Sequence, residues 1–96
     1  MDFGSYGEKP IRVLLIDRDR GEYTLIGQLL SSLGHGAYEL TWCWHIEHAI
    51  EAIFSDLHDV VLLDYQSDPA AGQAILAKAV QMNCPVPIIV MTAEMD

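Results

Sequence analysis

Basic side chains are scarce in this chain. Five Lys and Arg stand against 14 Asp and Glu, for a formal net charge of −9. Phosphate-backbone binding needs clustered Lys and Arg, so nucleic acid is excluded as a partner, and an anionic membrane surface is disfavoured on the same ground. Cysteine is nearly absent. Cys43 and Cys84 form no CxxC pair and have no thiol neighbour, which excludes a disulfide framework or a thiolate metal site and leaves two small, reduced core residues. No apolar run approaches the ~20 residues of a membrane span. The opening MDFGSYGEKP lacks the basic-then-apolar order of a secretory signal. A loose leader over residues 1–10 and a cytoplasmic location are expected.

What is present suits one small α/β domain. The chain has 96 residues, 51% of them hydrophobic, which excludes general disorder. IRVLLI (11–16) and DVVLLD (59–64) are short aliphatic runs of the kind buried on both faces of a sheet. Tyr38, Leu40, Trp42 and Trp44 alternate with polar or small residues, as in a strand, and Ile88–Met91 makes a fourth run. Between them, Tyr23, Ile26, Leu29, Leu30 and Leu33 recur at helical spacing, as do Ile46, Ala49, Ile50, Ile53 and Leu57, and then Ile75, Leu76, Ala79 and Val80. The order β-α-β-α-β-α-β over residues 11–96 calls for a parallel sheet with helices on both faces.

In such sheets the functional crevice lies beyond the carboxyl ends of the strands. The first strand delivers Asp17, with Asp19 close behind. The third delivers Asp64 and the fourth Thr92. Two carboxylates and a hydroxyl on one rim are hard oxygen ligands suited to Mg²⁺ and a phosphoryl group, although strand-end acids are also ordinary loop residues.

VLLIDRD, DVVLLDYQSDPAAG and VPIIVMTA resemble, in order, the three motifs of response-regulator receiver domains, the phosphoacceptor modules of two-component signalling. The resemblance covers nearly the whole chain. It implies a flavodoxin-like open parallel sheet, strand order 2-1-3-4 with the fifth strand absent. It implies Asp64 as phosphoacceptor, Gly72 as the glycine of the following loop, and Thr92 as the switch hydroxyl. Mg²⁺ would be held by Asp17, Asp64 and the backbone carbonyl of Gln66. A histidine kinase or phosphotransfer protein would donate the phosphoryl group. The domain would then be a switch rather than a metabolic enzyme. The LLDY acceptor motif and the DRDRGEY turn resemble receivers attached to cyclic-dinucleotide enzymes or hybrid kinases.

Two departures bear on this resemblance. The family has adjacent acids after strand one, the second of them a direct metal ligand, whereas this chain has Asp17-Arg18. A unit charge at ~4 Å is worth ~4 kcal/mol at an effective dielectric of ~20, so even half of that weakens Mg²⁺ binding more than tenfold. Asp19 is the candidate substitute, one residue further along. Arg18 either swings into solvent or pairs with Asp64 and imitates the metal's charge. The sequence also stops at Glu94-Met95-Asp96, before the strand whose lysine pairs with the phosphoryl group, and neither Lys9 nor Lys78 is placed to replace it. With strand four left as an apolar edge, self-association into a dimer through that edge is expected, or the chain is part of a longer regulator.

The alternative is a degenerate receiver that acts as a phosphorylation-independent interaction or dimerisation module. A small nucleotide-binding protein of similar topology is disfavoured, because DRDRGE is charged where a phosphate loop would be glycine-rich. His45 and His48 have a spacing that can hold a metal but no third ligand nearby, and are read as exposed.

Overall fold

The run IRVLLI forms β1 (Ile11–Ile16), and the computed structural model describes residues 9–92 around it. The chain continues through α1 (Arg20–Leu33), β2 (Tyr38–Cys43), a single 3₁₀ turn (Ile46–His48) leading into α2 (Ala49–Ile53), β3 (Val60–Asp64), α3 (Pro69–Gln81) and β4 (Ile88–Met91). All pairings are parallel, and the strand order is β2-β1-β3-β4. The fold is therefore an open, four-stranded α/β sheet of the flavodoxin-like kind among the described residues. Most of the expected leader, and Glu94, Met95 and Asp96, lie outside those residues.

β1 is central, and its burial shows why it carries aliphatic side chains at successive positions. Leu14 and Ile16 join Ala49, Ile53, Val61, Leu63 and Ile75 in the core beneath α2 and α3. Val13 and Leu15 are also buried, and strand alternation sends them to the opposite face. On that face Tyr23 of α1 stacks on Trp42 of β2, with ring centroids 4.6 Å apart, and Gly27 brings the helix close to Leu40. α1 nevertheless has no fully buried residue, and its Leu25, Leu29 and Leu33 are exposed. Ile89 of β4 is 53% exposed, so cover on this side fades away from β1 and β2.

α2 is shorter than the apolar spacing predicts. Leu57 lies outside it and is exposed. The helix ends because Ser55 Oγ donates to the Ala52 carbonyl and accepts from the Leu57 N–H, while Asp56 takes a left-handed φ of 66°. α3 ends as the sequence predicts, near Asn83. That residue adopts φ 56°, its N–H donates to the Val80 carbonyl, and the Cys84 N–H donates to Ala79. This is a Schellman arrangement that satisfies two of the last helical carbonyls. Cys43 and Cys84 are free and half-buried. Among the described residues, no helix is long and apolar enough to cross a membrane.

Candidate functional site

β1 and β3 are adjacent and parallel, with Ile16 opposite Leu63, so their carboxyl ends bring Asp17 beside Asp64. Both acids are withdrawn from water, Asp17 being 1% and Asp64 8% exposed. The backbone of Asp17 is held from β2: its N–H donates to the Cys43 carbonyl, and its carbonyl accepts from Trp42 Nε1 at 2.7 Å. Asp64 is oriented by the turn that follows it. Its Oδ1 accepts from the Gln66 N–H at 2.9 Å and, at 3.5 Å, from the Ser67 N–H. Gln66, expected to offer its carbonyl, thus makes its observed contact with the site through its N–H. Thr92 directly follows β4, whose last residue, Met91, is in register with Asp64, so it lies on the same rim and is exposed.

The third acid in the pocket is not the one the sequence suggests. Asp19 caps α1 instead: its side chain accepts from the Gly21 N–H at 2.9 Å, and its own N–H donates to Asp17 Oδ1 at 2.8 Å. Capping satisfies an otherwise orphaned helical N–H and is worth about 1 kcal/mol, which holds this carboxylate on the helix end. Glu22, in the first turn of α1, takes the inward place. Asp17, Glu22 and Asp64 each present a ligand-capable oxygen, and all three oxygens lie within 4.8 Å of one another. The segment Asp19-Arg20-Gly21-Glu22 has the spacing of a capping box, in which the third-position acid reaches back to the N-cap N–H. Here that N–H is already committed to Asp17, which leaves Glu22 to approach the pocket.

Three like charges in this space would repel strongly, by at least roughly 3.5 kcal/mol per ionised pair, the value at the 4.8 Å limit and an effective dielectric of ~20. Burial, then the hydrogen-bonding contact with the Glu22 carboxyl, push the Asp17 carboxyl up to about 7. The charge of Asp64 adds to this, and the Asp19 N–H acts the other way. Asp17 Oδ2 is buried, and with both carboxyls ionised it has no hydrogen-bond donor, since Glu22 then offers only another acceptor. An orphaned carboxylate oxygen in an all-oxygen pocket fits a hard divalent cation such as Mg²⁺.

Of its two expected positions, Arg18 takes the solvent-facing one and does not pair with Asp64. It is more than half exposed, and out there its guanidinium pairs with Asp68 at 3.6 Å. Asp68 is the N-cap of α3, accepting from the Ala71 N–H at 3.1 Å, and Pro69 occupies the first helical turn. Proline there lacks only an N–H that the helix would leave unsatisfied, so it suits the first helical turn. Gly72 is required by proximity: a Cβ on it would meet Tyr65 Cδ1 at 2.9 Å and the Asp64 carbonyl oxygen at 3.2 Å. Lys78 is in the last turn of α3 and Lys9 precedes β1, so neither belongs to this rim. His45 and His48 are exposed and lie against Glu47 and Glu51, at 3.5 and 3.8 Å.

In comparisons with known proteins, no family model matches the chain and no curated protein matches it. What the site can do follows from its own geometry: a buried, oriented carboxylate beside an oxygen-lined pocket of like charge.

Proposed function

We propose that this domain is a phosphoacceptor receiver, with Asp64 as the nucleophile. The observation that carries the reading is the convergence of Asp64 with Asp17 at the carboxyl ends of two adjacent parallel strands. In the proposed reaction an Asp64 carboxylate oxygen attacks the phosphorus of a partner's phosphohistidine. The new O–P bond forms as the P–N bond breaks, and the imidazole leaves with the electron pair. Hydrolysis of the acyl phosphate by water returns the carboxylate and inorganic phosphate. The Gln66 and Ser67 N–H groups hold the carboxylate plane, and the short exposure of Asp64 limits access to donors that fit the rim. Mg²⁺, when bound among the acids, supplies charge neutralisation for the phosphoryl oxygens. Thr92, on the same rim, is the proposed switch hydroxyl that reads the modified state.

The protein is thus proposed as a signalling switch in the cytoplasm, served by a histidine kinase or phosphotransfer protein. A dimer through the β4 edge belongs to the same proposal, supported by the exposure of Ile89 and by β4 having one neighbouring strand among the described residues. Light scattering that finds a monomer at all concentrations removes the dimer. The decisive test of the switch is intact mass after incubation with acetyl phosphate and Mg²⁺. A single phosphate adduct, abolished in Asp64→Asn, is expected, and its absence overturns the phosphoacceptor reading.

The second reading is a degenerate receiver that works through interactions alone. The Arg18–Asp68 pair favours it, because it bridges the loops after β1 and β3 without any phosphate.

A further inference from the structure

We propose that Glu22, reaching in from the first turn of α1, is a direct ligand of a divalent cation shared with Asp17 and Asp64, and so replaces the acid that Arg18 displaces. The inference rests on the receiver reading for the choice of Mg²⁺ as the cation, while its geometry stands apart from phosphoryl transfer.

Four observations lead to it. The three carboxylates each bring one oxygen into a space no more than 4.8 Å across. Ligand distances of about 2.0–2.6 Å for Mg²⁺ or Ca²⁺ give a coordination sphere about 4–5 Å in diameter, so one ion can span all three. Asp17 is 1% exposed, and its Oδ2 has no donor in the ionised pocket, while its Oδ1 is occupied by the Asp19 N–H. A buried carboxylate oxygen is costly unless something compensates it. Asp19, the nearer substitute in sequence, is held by the Gly21 N–H as a helix cap. Finally, Arg18 turns outward to Asp68, so its guanidinium is not what neutralises the pocket.

A proton shared between Asp17 and Glu22 would also quiet the orphaned oxygen, and it is the competing explanation. The two differ in what Glu22→Gln does. An amide retains the shape and can donate a hydrogen bond, so a proton-sharing pocket tolerates it, whereas a cation site loses one anionic ligand.

The test is a calorimetric titration of the full chain with Mg²⁺, and separately with Ca²⁺, at about pH 8, where carboxylates are largely ionised. Tryptophan fluorescence provides a second readout, because Trp42 donates to the Asp17 carbonyl and stacks on Tyr23, the neighbour of Glu22. Saturable binding is expected in the wild type. It should weaken by about tenfold or more in Glu22→Gln, as expected for the loss of one close unit charge. Glu22→Asp should fall between the two, and Asp19→Asn should bind like wild type. Circular dichroism verifies that each variant is folded. Equal affinity in wild type and Glu22→Gln, or no saturable binding in the folded wild type, overturns the inference and leaves the shared proton. The acetyl-phosphate assay separates this result from the receiver reading. Glu22-dependent binding without an Asp64 adduct upholds the site and fails the receiver. An Asp64 adduct together with Glu22-independent binding does the reverse.

Discussion

Replacing Glu22 by glutamine should stabilise the metal-free protein at mildly alkaline pH, although it removes a polar contact near a buried acid. Fully ionised, Glu22 repels Asp17 and Asp64 with at least roughly 3.5 kcal/mol each, the value at the 4.8 Å upper limit of their oxygen separations and a dielectric of ~20. Solvent reaches Glu22, which is only half-buried, and a proton retained by Asp17 relieves part of the repulsion. About 1–2 kcal/mol of net stabilisation survives these discounts, or ~5–15 °C in Tm for a domain of this size. The pH dependence has a definite sign. The folded Asp17 carboxyl titrates at about 7, above an unfolded carboxyl near ~3.9, so folding holds a proton that the unfolded chain gives up. Wild-type stability should therefore fall as pH rises between those values, and the advantage of Glu22→Gln should grow over the same range. Urea or thermal melts in a chelator at about pH 5 and about pH 8 test this. Excess Mg²⁺ should reverse the order, because only the wild type keeps three carboxylate ligands. A variant that melts at or below the wild type in chelator at about pH 8 would refute the electrostatic reasoning.

Three other outcomes follow from contacts around the site. Gly72→Ala should destabilise by about 1–2 kcal/mol in urea melts, since the clash with Tyr65 and the Asp64 carbonyl outweighs the helix-propensity gain of ~1 kcal/mol. Asp68→Ala should cost about 1 kcal/mol as a lost cap, and Arg18→Ala less, because the exposed Arg18–Asp68 pair at 3.6 Å adds little. Equal losses in the two variants would mean that the ion pair, not the cap, is what Asp68 supplies. Arg12 holds the Asp59 carboxyl down to about 2 through a side-chain hydrogen bond and a 3.0 Å ion pair. That contribution is present above the ordinary carboxyl range near ~3.9 and fades as pH falls toward 2, so Asp59→Asn should flatten the acid limb of the stability curve.

Strand-end logic reads well in this chain because the aliphatic runs are dense. Four residues such as Val60-Val61-Leu62-Leu63 leave little choice but a strand with both faces covered, and whatever follows them lies on the rim. Asp17 and Asp64 could be named on that ground. Glu22 could not, because it is six residues beyond β1 and belongs to a helix. Its approach depends on the direction in which α1 leaves the rim. The available signal was the Asp19-to-Glu22 spacing, combined with the fact that the Asp19 N–H finds another acceptor. The outward turn of Arg18 is legible in the sequence, but its partner is not, for a related reason. Its partner Asp68 caps a helix 50 residues on, and only the fold brings the two loops together. The exposed Leu57 shows the same limit, since its spacing fits a helix that Ser55 and Asp56 have already ended.

Moving the third acid from the strand end to α1 changes what cation binding can do. An acid immediately after β1 would be fixed by the sheet, and its loading would tighten a region that is already the best packed. Glu22 is carried by a helix with no fully buried residue, whose contacts with the sheet include the Tyr23–Trp42 stack and Gly27 against Leu40. Weakly packed elements open at free energies well below that of global unfolding. A cation gripping Glu22 would fasten the first turn of α1 to the ends of β1 and β3, and mass action would raise the opening free energy of that helix as ligand is added. Hydrogen exchange should therefore show Mg²⁺-dependent protection of amides across α1 in the wild type, and little change there in Glu22→Gln. Slowing confined to the turn after β3, with α1 exchanging as before, would mean that the ion is held by the two aspartates alone and that the helix takes no part.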